Sequence, residues 1–239
     1  MSSLIEMDRS IIPACDVRDL DHLKSIVDQT ALIDEIGGYK VGFTLGLSYG
    51  LPAVVEAVRE SSDKPVIYDH QKAGTDIPDT GADFAAVAAG AGVDAVILFP
   101  QAGPETQQEW TQRAQEAGLT VIIGGQMTHT GYLDEDGGYI LDNAPMRMYM
   151  SGVEQGVTDF VVPGNDPESI HQIRQEILMK GIEPVFYAPG FIAQGGNISK
   201  AANASGKRWH AIVGRGIYNA EKQGKSFREA ALELTDQLR

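Results

Sequence analysis

Short apolar runs alternate with amphipathic stretches from one end of the chain to the other. The apolar runs are rich in β-branched and aromatic residues, which is typical of buried strands, and the stretches between them show the wider apolar spacing of helices. The predicted strands are Ser10 to Ala14, Gly38 to Phe43, Pro65 to Tyr68, Ala95 to Phe99, Thr120 to Gly124, Asp159 to Val162, Glu183 to Tyr187 and Trp209 to Val213. The predicted helices lie near Leu20 to Ile33, Leu51 to Glu60, Thr80 to Ala91, Pro104 to Ala117, Ala144 to Gln155, Asp166 to Met179, Asn197 to Ala204 and Phe227 to Leu238.

Eight strand–helix pairs in a chain of 239 residues predict a (β/α)8 TIM barrel, with residues 1–239 as a single catalytic domain. A doubly wound open sheet is the alternative, but it usually has a glycine-rich Gly-x-Gly-x-x-Gly turn after its first strand. The segment Cys15 to Arg18 lacks that turn. The stretch from Gly131 to Asn143 is too polar for a core element, and it is interpreted as either a surface loop or a lid.

The amino-acid composition limits the cellular compartments and the binding partners that we expect for this chain. The single Cys15 excludes an internal disulfide and favours a reducing compartment. No cleavable leader is visible, and no apolar stretch approaches the roughly 20 residues of a membrane span. We therefore expect a cytoplasmic enzyme. The net charge of −14 and the absence of a Lys/Arg cluster argue against nucleic acid or an anionic membrane as a partner.

Charged residues stand at or just after several predicted strand ends. Asp16 follows the first strand, Lys40 lies in the second, and Asp69 ends the third, with Lys72 and Asp76 following it. A barrel brings strand ends together at one rim, where active sites of this fold form. Nearby carboxylates keep a lysine charged, which makes it a poor nucleophile and a good proton donor.

Two glycine-containing segments near the end of the chain predict an anion site. The loop from Ala188 to Asn197 runs into a predicted helix start, where free backbone N–H groups favour an anion. Gly214 and Arg215 follow the last strand, and a guanidinium can bind phosphate bidentately. Loops after the seventh and eighth strands of a barrel are a frequent place for phosphate.

Six segments together are similar to a known family. The chain resembles orotidine 5′-phosphate decarboxylase of the archaeal type, and the similarity is collinear over nearly the whole chain. Its most specific parts are the lysine–aspartate segment and the two phosphate-loop motifs. The segments that carry it are Ile12 to Asp16, Tyr39 to Gly42, Asp69 to Thr80, Gln126 to Gly131, Pro189 to Gly196 and Val213 to Tyr218.

The resemblance implies decarboxylation of orotidine 5′-monophosphate to UMP, in de novo pyrimidine biosynthesis, without cofactor or metal. It implies that Lys72 protonates C6 of the pyrimidine, that Asp69 faces the substrate carboxylate, and that Lys40 orients the charged network. It also implies a homodimer with shared active sites, in which Asp76 and Thr80 reach into the partner's site. The remaining substrate-binding residues that it implies are Asp16 for the ribose, Thr128 for the pyrimidine, Gln194, Gly195, Gly214 and Arg215 for the phosphate, and Pro189.

The spacing of the charged residues departs from the family pattern, which has the lysine two residues after the first aspartate. Here Lys72 lies three residues after Asp69, and Asp76 four after Lys72. Residues two apart on a strand share a face, so a regular strand would place Lys72 beside His70. A one-residue bulge would turn Asp69 toward Lys72, with Gly74 absorbing the second insertion. Alternatively, His70 occupies the position of the first carboxylate.

Two other functions stay open at this point. A magnesium-dependent sugar-phosphate lyase or decarboxylase of the same superfamily, such as hexulose phosphate synthase, has a similar lysine–aspartate motif and would need oxygen ligands for the metal. A barrel that binds nucleotides without catalysis would keep its phosphate loops and lose its chemistry. Activity that persists in the presence of a chelator would exclude the metal-dependent enzyme. UMP binding without turnover would identify the barrel that lacks catalysis.

Overall fold

Eight parallel strands form a closed barrel in the computed structural model, which describes residues 3–70, 76–190 and 204–238. Each strand pairs with the next along the chain, and the last pairs with the first, as the sequence pattern predicts. The strands are β1 (Arg9–Cys15), β2 (Tyr39–Gly42), β3 (Val66–Asp69), β4 (Ala95–Leu98), β5 (Thr120–Gly124), β6 (Asp159–Val161), β7 (Val185–Pro189) and β8 (Trp209–Val213).

Helices connect the strands and pack around the barrel. The described part of the chain contains α1 (Leu20–Thr30), α2 (Phe43–Tyr49), α3 (Leu51–Arg59), α4 (Gly81–Gly90), α5 (Pro104–Glu116), α6 (Ala144–Glu154), α7 (Pro167–Met179), α8 (Arg215–Tyr218) and α9 (Phe227–Thr235). Among the described residues, no helix is long and apolar enough to cross a lipid bilayer.

The sequence pattern misplaces some boundaries. The seventh strand was expected at Glu183 to Tyr187 but spans Val185–Pro189, because Pro184 lacks the N–H that a strand needs and pairing begins after it. Helices α2 and α8 were not predicted, and they are short. The predicted helix from Asn197 to Ala204 lies outside the described residues except at its last position.

Alternate residues of the strands divide the core into two layers. Side chains that point outward pack against the helices and form the larger apolar cluster, which includes Tyr39, Val41 and Tyr68. Side chains that point inward fill the barrel and include Ile67 and Ile212. This period of two is what the pleat of a strand imposes. It also decides which residues at the strand ends face the barrel mouth.

The amino-terminal end of the barrel interior is polar. Ser10 Oγ lies 2.8 Å from Nδ1 of His210, and the Tyr187 hydroxyl donates to the Asp159 carboxylate at 2.9 Å. The rings of Tyr187 and His210 contact each other at a centroid distance of 5.0 Å. Burial lowers the pKa of His210 to about 3. The imidazole is therefore neutral at physiological pH, inside the folded barrel.

Candidate active site

A cavity of about 360 Å³ opens at the carboxyl ends of the strands. Its volume is in the range of pockets that hold small ligands. The carboxyl-terminal face is where barrels of this fold place their active sites. The cavity is lined by Ala14, Asp16, Lys40, Asp69, Ile97, Phe99, Gln126, Met127, Thr128, Val161, Pro189, Gly190, Ile212, Gly214, Arg215 and Tyr218.

A lysine and two aspartates form an ion network on the cavity wall built by β1, β2 and β3. Lys40 Nζ donates to Oδ2 of Asp69 at 2.9 Å and to Oδ1 of Asp16 at 3.3 Å. The Lys40 side chain is only 5% exposed and that of Asp69 14%, whereas Asp16 is 38% exposed. Lys40 therefore bridges a carboxylate that is largely shielded from solvent and a more exposed carboxylate at the cavity mouth.

The charge of Lys40 is secured by this network. Burial on its own would lower the pKa of Lys40, but the charges of Asp69 and Asp16 and their hydrogen bonds outweigh burial and raise it. The ammonium therefore stays protonated at neutral pH, and its donors hold the Asp69 carboxylate in place. A charged lysine that is already engaged by two carboxylates suits a structural and electrostatic role better than that of a nucleophile.

Asp69, rather than His70, lines the cavity. The pairing of β3 is continuous from Val66 to Asp69, and the alternation of inward and outward side chains places Asp69 on the same face as Ile67. His70 Nδ1 lies 2.5 Å from the Tyr68 hydroxyl, and Tyr68 belongs to the outer core layer. The strand therefore presents a carboxylate to the cavity without a bulge among residues 66–69.

The wall that follows β5 is built from backbone packed unusually closely. Gln126, Met127 and Thr128 line the cavity directly after this strand. A Cβ atom added at Gly124 would lie 2.3 Å from the ring of Phe99, which also lines the cavity. Only glycine lets the ring approach this backbone, so Gly124 sets the position of an aromatic surface inside the site.

The wall formed by β7 and β8 carries the cavity's exposed arginine. Pro189 ends β7 and Gly214 follows β8, and both line the cavity together with Arg215. No ion pair joins Arg215 to a carboxylate among the residues described. A guanidinium placed in this way is available to an anionic group of a ligand.

Two of the expected site residues lie away from the cavity of their own chain. Asp76 is exposed, its carbonyl accepts from the Thr106 hydroxyl at 2.9 Å, and its carboxylate accepts from the Ile77 N–H. The Thr80 hydroxyl donates to the Ile77 carbonyl at 2.9 Å. Neither residue lines the cavity. The segment from Asp76 to Thr80 is instead docked on α5.

Three expected site residues, Lys72, Gln194 and Gly195, lie outside the described residues. Among the residues that are described, no group of three or more His, Cys, Asp or Glu side chains is placed to hold a metal ion. The sequence motifs assigned no role to Phe99 or Gln126, although both line the cavity. Their positions immediately after β4 and two residues after β5 are the signal that identifies them.

Comparisons with known proteins find relatives that match nearly the whole chain. The sequence model of the Orotidine 5′-phosphate decarboxylase / HUMPS family matches residues 9–230. Orotidine 5′-phosphate decarboxylase of Methanosarcina mazei is 32% identical over 235 residues, which cover 98% of this chain and 99% of that protein.

Solved structures of orotidine 5′-phosphate decarboxylases are also similar to this chain over nearly its whole length. The orotidine 5′-monophosphate decarboxylase of Methanocaldococcus jannaschii, complexed with inhibitor BMP, superposes with a TM-score of 0.81 at 26% identity, covering 97% of this chain and 99% of that one. The orotidine 5′-phosphate decarboxylase of Pyrococcus horikoshii OT3 gives a TM-score of 0.76 at 30% identity, covering 96% and 99%.

Proposed function

The chain belongs to the Orotidine 5′-phosphate decarboxylase / HUMPS family, and we propose that it decarboxylates orotidine 5′-monophosphate to UMP in pyrimidine biosynthesis. The observation that carries this proposal is the ion network of Lys40, Asp69 and Asp16 on one wall of a cavity whose other walls hold Thr128 and Arg215. The charged network and the arginine that could bind an anion therefore line different walls of one cavity.

Asp69 faces the position proposed for the substrate carboxylate. Its own carboxylate is held by Lys40 at 2.9 Å and is mostly shielded from water. Two unit charges about 4 Å apart at an effective dielectric of about 20 interact by roughly 4 kcal/mol. Relief of that repulsion as neutral CO₂ leaves lowers the barrier, because the interaction is unfavourable in the ground state and absent in the product.

Lys72 supplies the proton in the proposed reaction. The bond between C6 and the carboxylate carbon breaks, its electron pair stays on C6, and a proton from the Lys72 ammonium forms the new C6–H bond. CO₂ departs, and the lysine recovers a proton from solvent. The reaction transfers no electrons to or from the protein, and the proposed steps use neither a cofactor nor a metal.

Binding energy from the far end of the nucleotide offsets the repulsion. Arg215 and Gly214 line the cavity after β8 and would hold the phosphate, with Gln194 and Gly195 completing that site, and Pro189 at the end of β7 would contact the substrate. Asp16 would accept hydrogen bonds from the ribose, and Thr128 would contact the pyrimidine. Interactions with non-reacting groups can be spent on destabilising the reacting group, so the phosphate contacts would influence turnover as well as affinity.

The proposal includes a homodimer with shared sites. Asp76 and Thr80 are turned away from their own cavity and would complete the partner's site. Large apolar side chains are exposed on the elements that follow β2 and β3 and would be covered by the partner: Phe43, Leu47, Ile77 and Val87. The proposal also takes residues 1–239 as one catalytic domain and places the enzyme in the cytoplasm.

An ultraviolet assay of orotidine 5′-monophosphate consumption, with and without EDTA, tests the proposed function. We expect conversion to UMP at the same rate in both conditions. Activity that is lost with EDTA and restored by Mg²⁺ would favour a metal-dependent reaction. UMP binding without any conversion would identify a barrel that binds nucleotides and lacks catalysis.

A further inference from the structure

The hydroxyl of Tyr132 forms a hydrogen bond that joins the two ends of the chain segment from Gly125 to Tyr132, which follows β5. It donates to the Gly125 carbonyl at 2.7 Å and accepts from Nε2 of Gln101 at 3.1 Å. Tyr132 is 7% exposed, and burial raises the pKa of its phenol, so the hydroxyl stays protonated and can donate. The contact joins residues seven apart in sequence and encloses Thr128, which lines the cavity.

A second buried tyrosine holds the same segment from the other side. The Tyr149 hydroxyl accepts from the Gln126 N–H at 3.1 Å and donates to the Val161 carbonyl at 2.8 Å. A Cβ atom at Gly125 would lie 2.7 Å from the Pro145 carbonyl oxygen, so α6 presses directly on this backbone. Packing and a hydrogen bond therefore hold the start of the segment at Gly125 and Gln126, and the Tyr132 hydroxyl holds its end against Gly125.

The loop that contains Tyr132 is braced internally. The Asp134 N–H donates to the Ile140 carbonyl at 2.8 Å, and the Ile140 N–H donates to the Tyr132 carbonyl at 3.3 Å. Tyr139, at the far end, is fully exposed. The loop from Gly131 to Asn143 thus has a buried root at the cavity wall and a solvent-exposed tip. Its root is the part that can influence ligand binding.

We propose that Tyr132 is a positioning residue for the pyrimidine base: its hydroxyl holds the backbone of residues 125–128 in the conformation that binds the base. The inference rests on the proposed function, which places the pyrimidine at Thr128. The proposed function places the ribose and the phosphate at Asp16 and Arg215, which line the cavity after other strands, β1 and β8. Loss of the Tyr132 hydroxyl should therefore weaken ligands that carry a base and spare those that lack one.

The test compares UMP with ribose 5-phosphate, which keeps the sugar and phosphate but has no base. Dissociation constants are measured by calorimetry for the wild type, Tyr132→Phe and the control Tyr139→Phe. Removing one partner of a buried hydrogen bond predicts a roughly tenfold rise in the UMP constant for Tyr132→Phe, with ribose 5-phosphate unchanged. Tyr139→Phe should match the wild type for both ligands.

Gln101→Ala provides a second variant that leaves the ring in place. It removes the donor to the Tyr132 hydroxyl, so we expect a smaller rise in the UMP constant, again without a change for ribose 5-phosphate. Equal weakening of both ligands in Tyr132→Phe, or no weakening of UMP in either variant, would overturn the inference. A wild-type protein that fails to bind UMP would instead overturn the proposed function, and the inference with it.

Discussion

Replacing Asp69 by asparagine tests the proposed electrostatic role of this carboxylate. Asparagine has nearly the same shape and can still accept a hydrogen bond from Lys40, which lies 2.9 Å from Asp69. The negative charge that is proposed to face the substrate carboxylate is lost. The ground-state repulsion should therefore disappear while the packing of the cavity wall is kept.

The magnitude follows from the position of Asp69. A repulsion of roughly 4 kcal/mol corresponds to about three powers of ten in rate. Lys40 offsets part of it because its ammonium is adjacent to the Asp69 carboxylate. We therefore expect kcat for Asp69→Asn to fall by about 10² to 10³.

The dissociation constant of orotidine 5′-monophosphate should decrease in Asp69→Asn, since the repulsion acts on the bound substrate. UMP has no carboxylate at C6, so its dissociation constant should stay near the wild-type value. Titration gives both constants, and single-turnover absorbance gives the rate. Asp16→Asn serves as the matched variant, because Asp16 is the other carboxylate that accepts from Lys40. This substitution should weaken the binding of both nucleotides by the same factor. A kcat unchanged in Asp69→Asn, or equal changes in binding of the two nucleotides, would refute the reasoning.

Three further predictions concern other parts of the molecule. Arg215→Ala should raise KM at least about tenfold by removing a charged phosphate contact, and an unchanged KM in steady-state assays would remove Arg215 from the phosphate site. Mixing inactive Asp76→Asn and Lys72→Ala proteins should restore activity after subunit exchange, and no recovery in demonstrated heterodimers would count against shared sites. Burial lowers the pKa of His210 in the folded protein to about 3, whereas in the unfolded chain it is about 6.5. As pH falls from about 6.5 toward 3, His210 therefore binds a proton in the unfolded chain but not in the folded protein, and the free energy of unfolding decreases. In chemical denaturation over this pH range, the free energy of unfolding of His210→Gln should decrease less steeply with falling pH than that of the wild type, and equal pH dependence would contradict this prediction. Burial raises the pKa of Asp159, so Asp159 contributes to the pH dependence with the opposite sign in both proteins.

The barrel was predictable because each strand is an apolar run separated from the next by an amphipathic stretch. That pattern depends on burial alone and survives errors of one or two residues at the ends. The order of the strands needs no further information, since each pairs with its neighbour in sequence. The strand ends then place Asp16, Lys40 and Asp69 at one rim, and the structure brings these three together.

Other features depend on contacts that the sequence pattern does not encode. The choice between Asp69 and His70 required the register of β3, since both residues are polar and adjacent at the strand end. The hydrogen bonds of Tyr132 and Tyr149 go to backbone groups, and an isolated tyrosine in a polar loop or on an amphipathic helix gives no signal for them. The close contact of Phe99 with Gly124 likewise appears only once β4 and β5 are paired.

The proposed reaction depends above all on proton donation by Lys72, and the variant Lys72→Ala removes the donor. Product formation from orotidine 5′-monophosphate is followed by absorbance, and UMP binding to the same protein is measured by calorimetry. If Lys72 donates the proton, Lys72→Ala abolishes UMP formation while UMP binding remains measurable. Turnover near the wild-type rate in Lys72→Ala would show that Lys72 is not the proton donor.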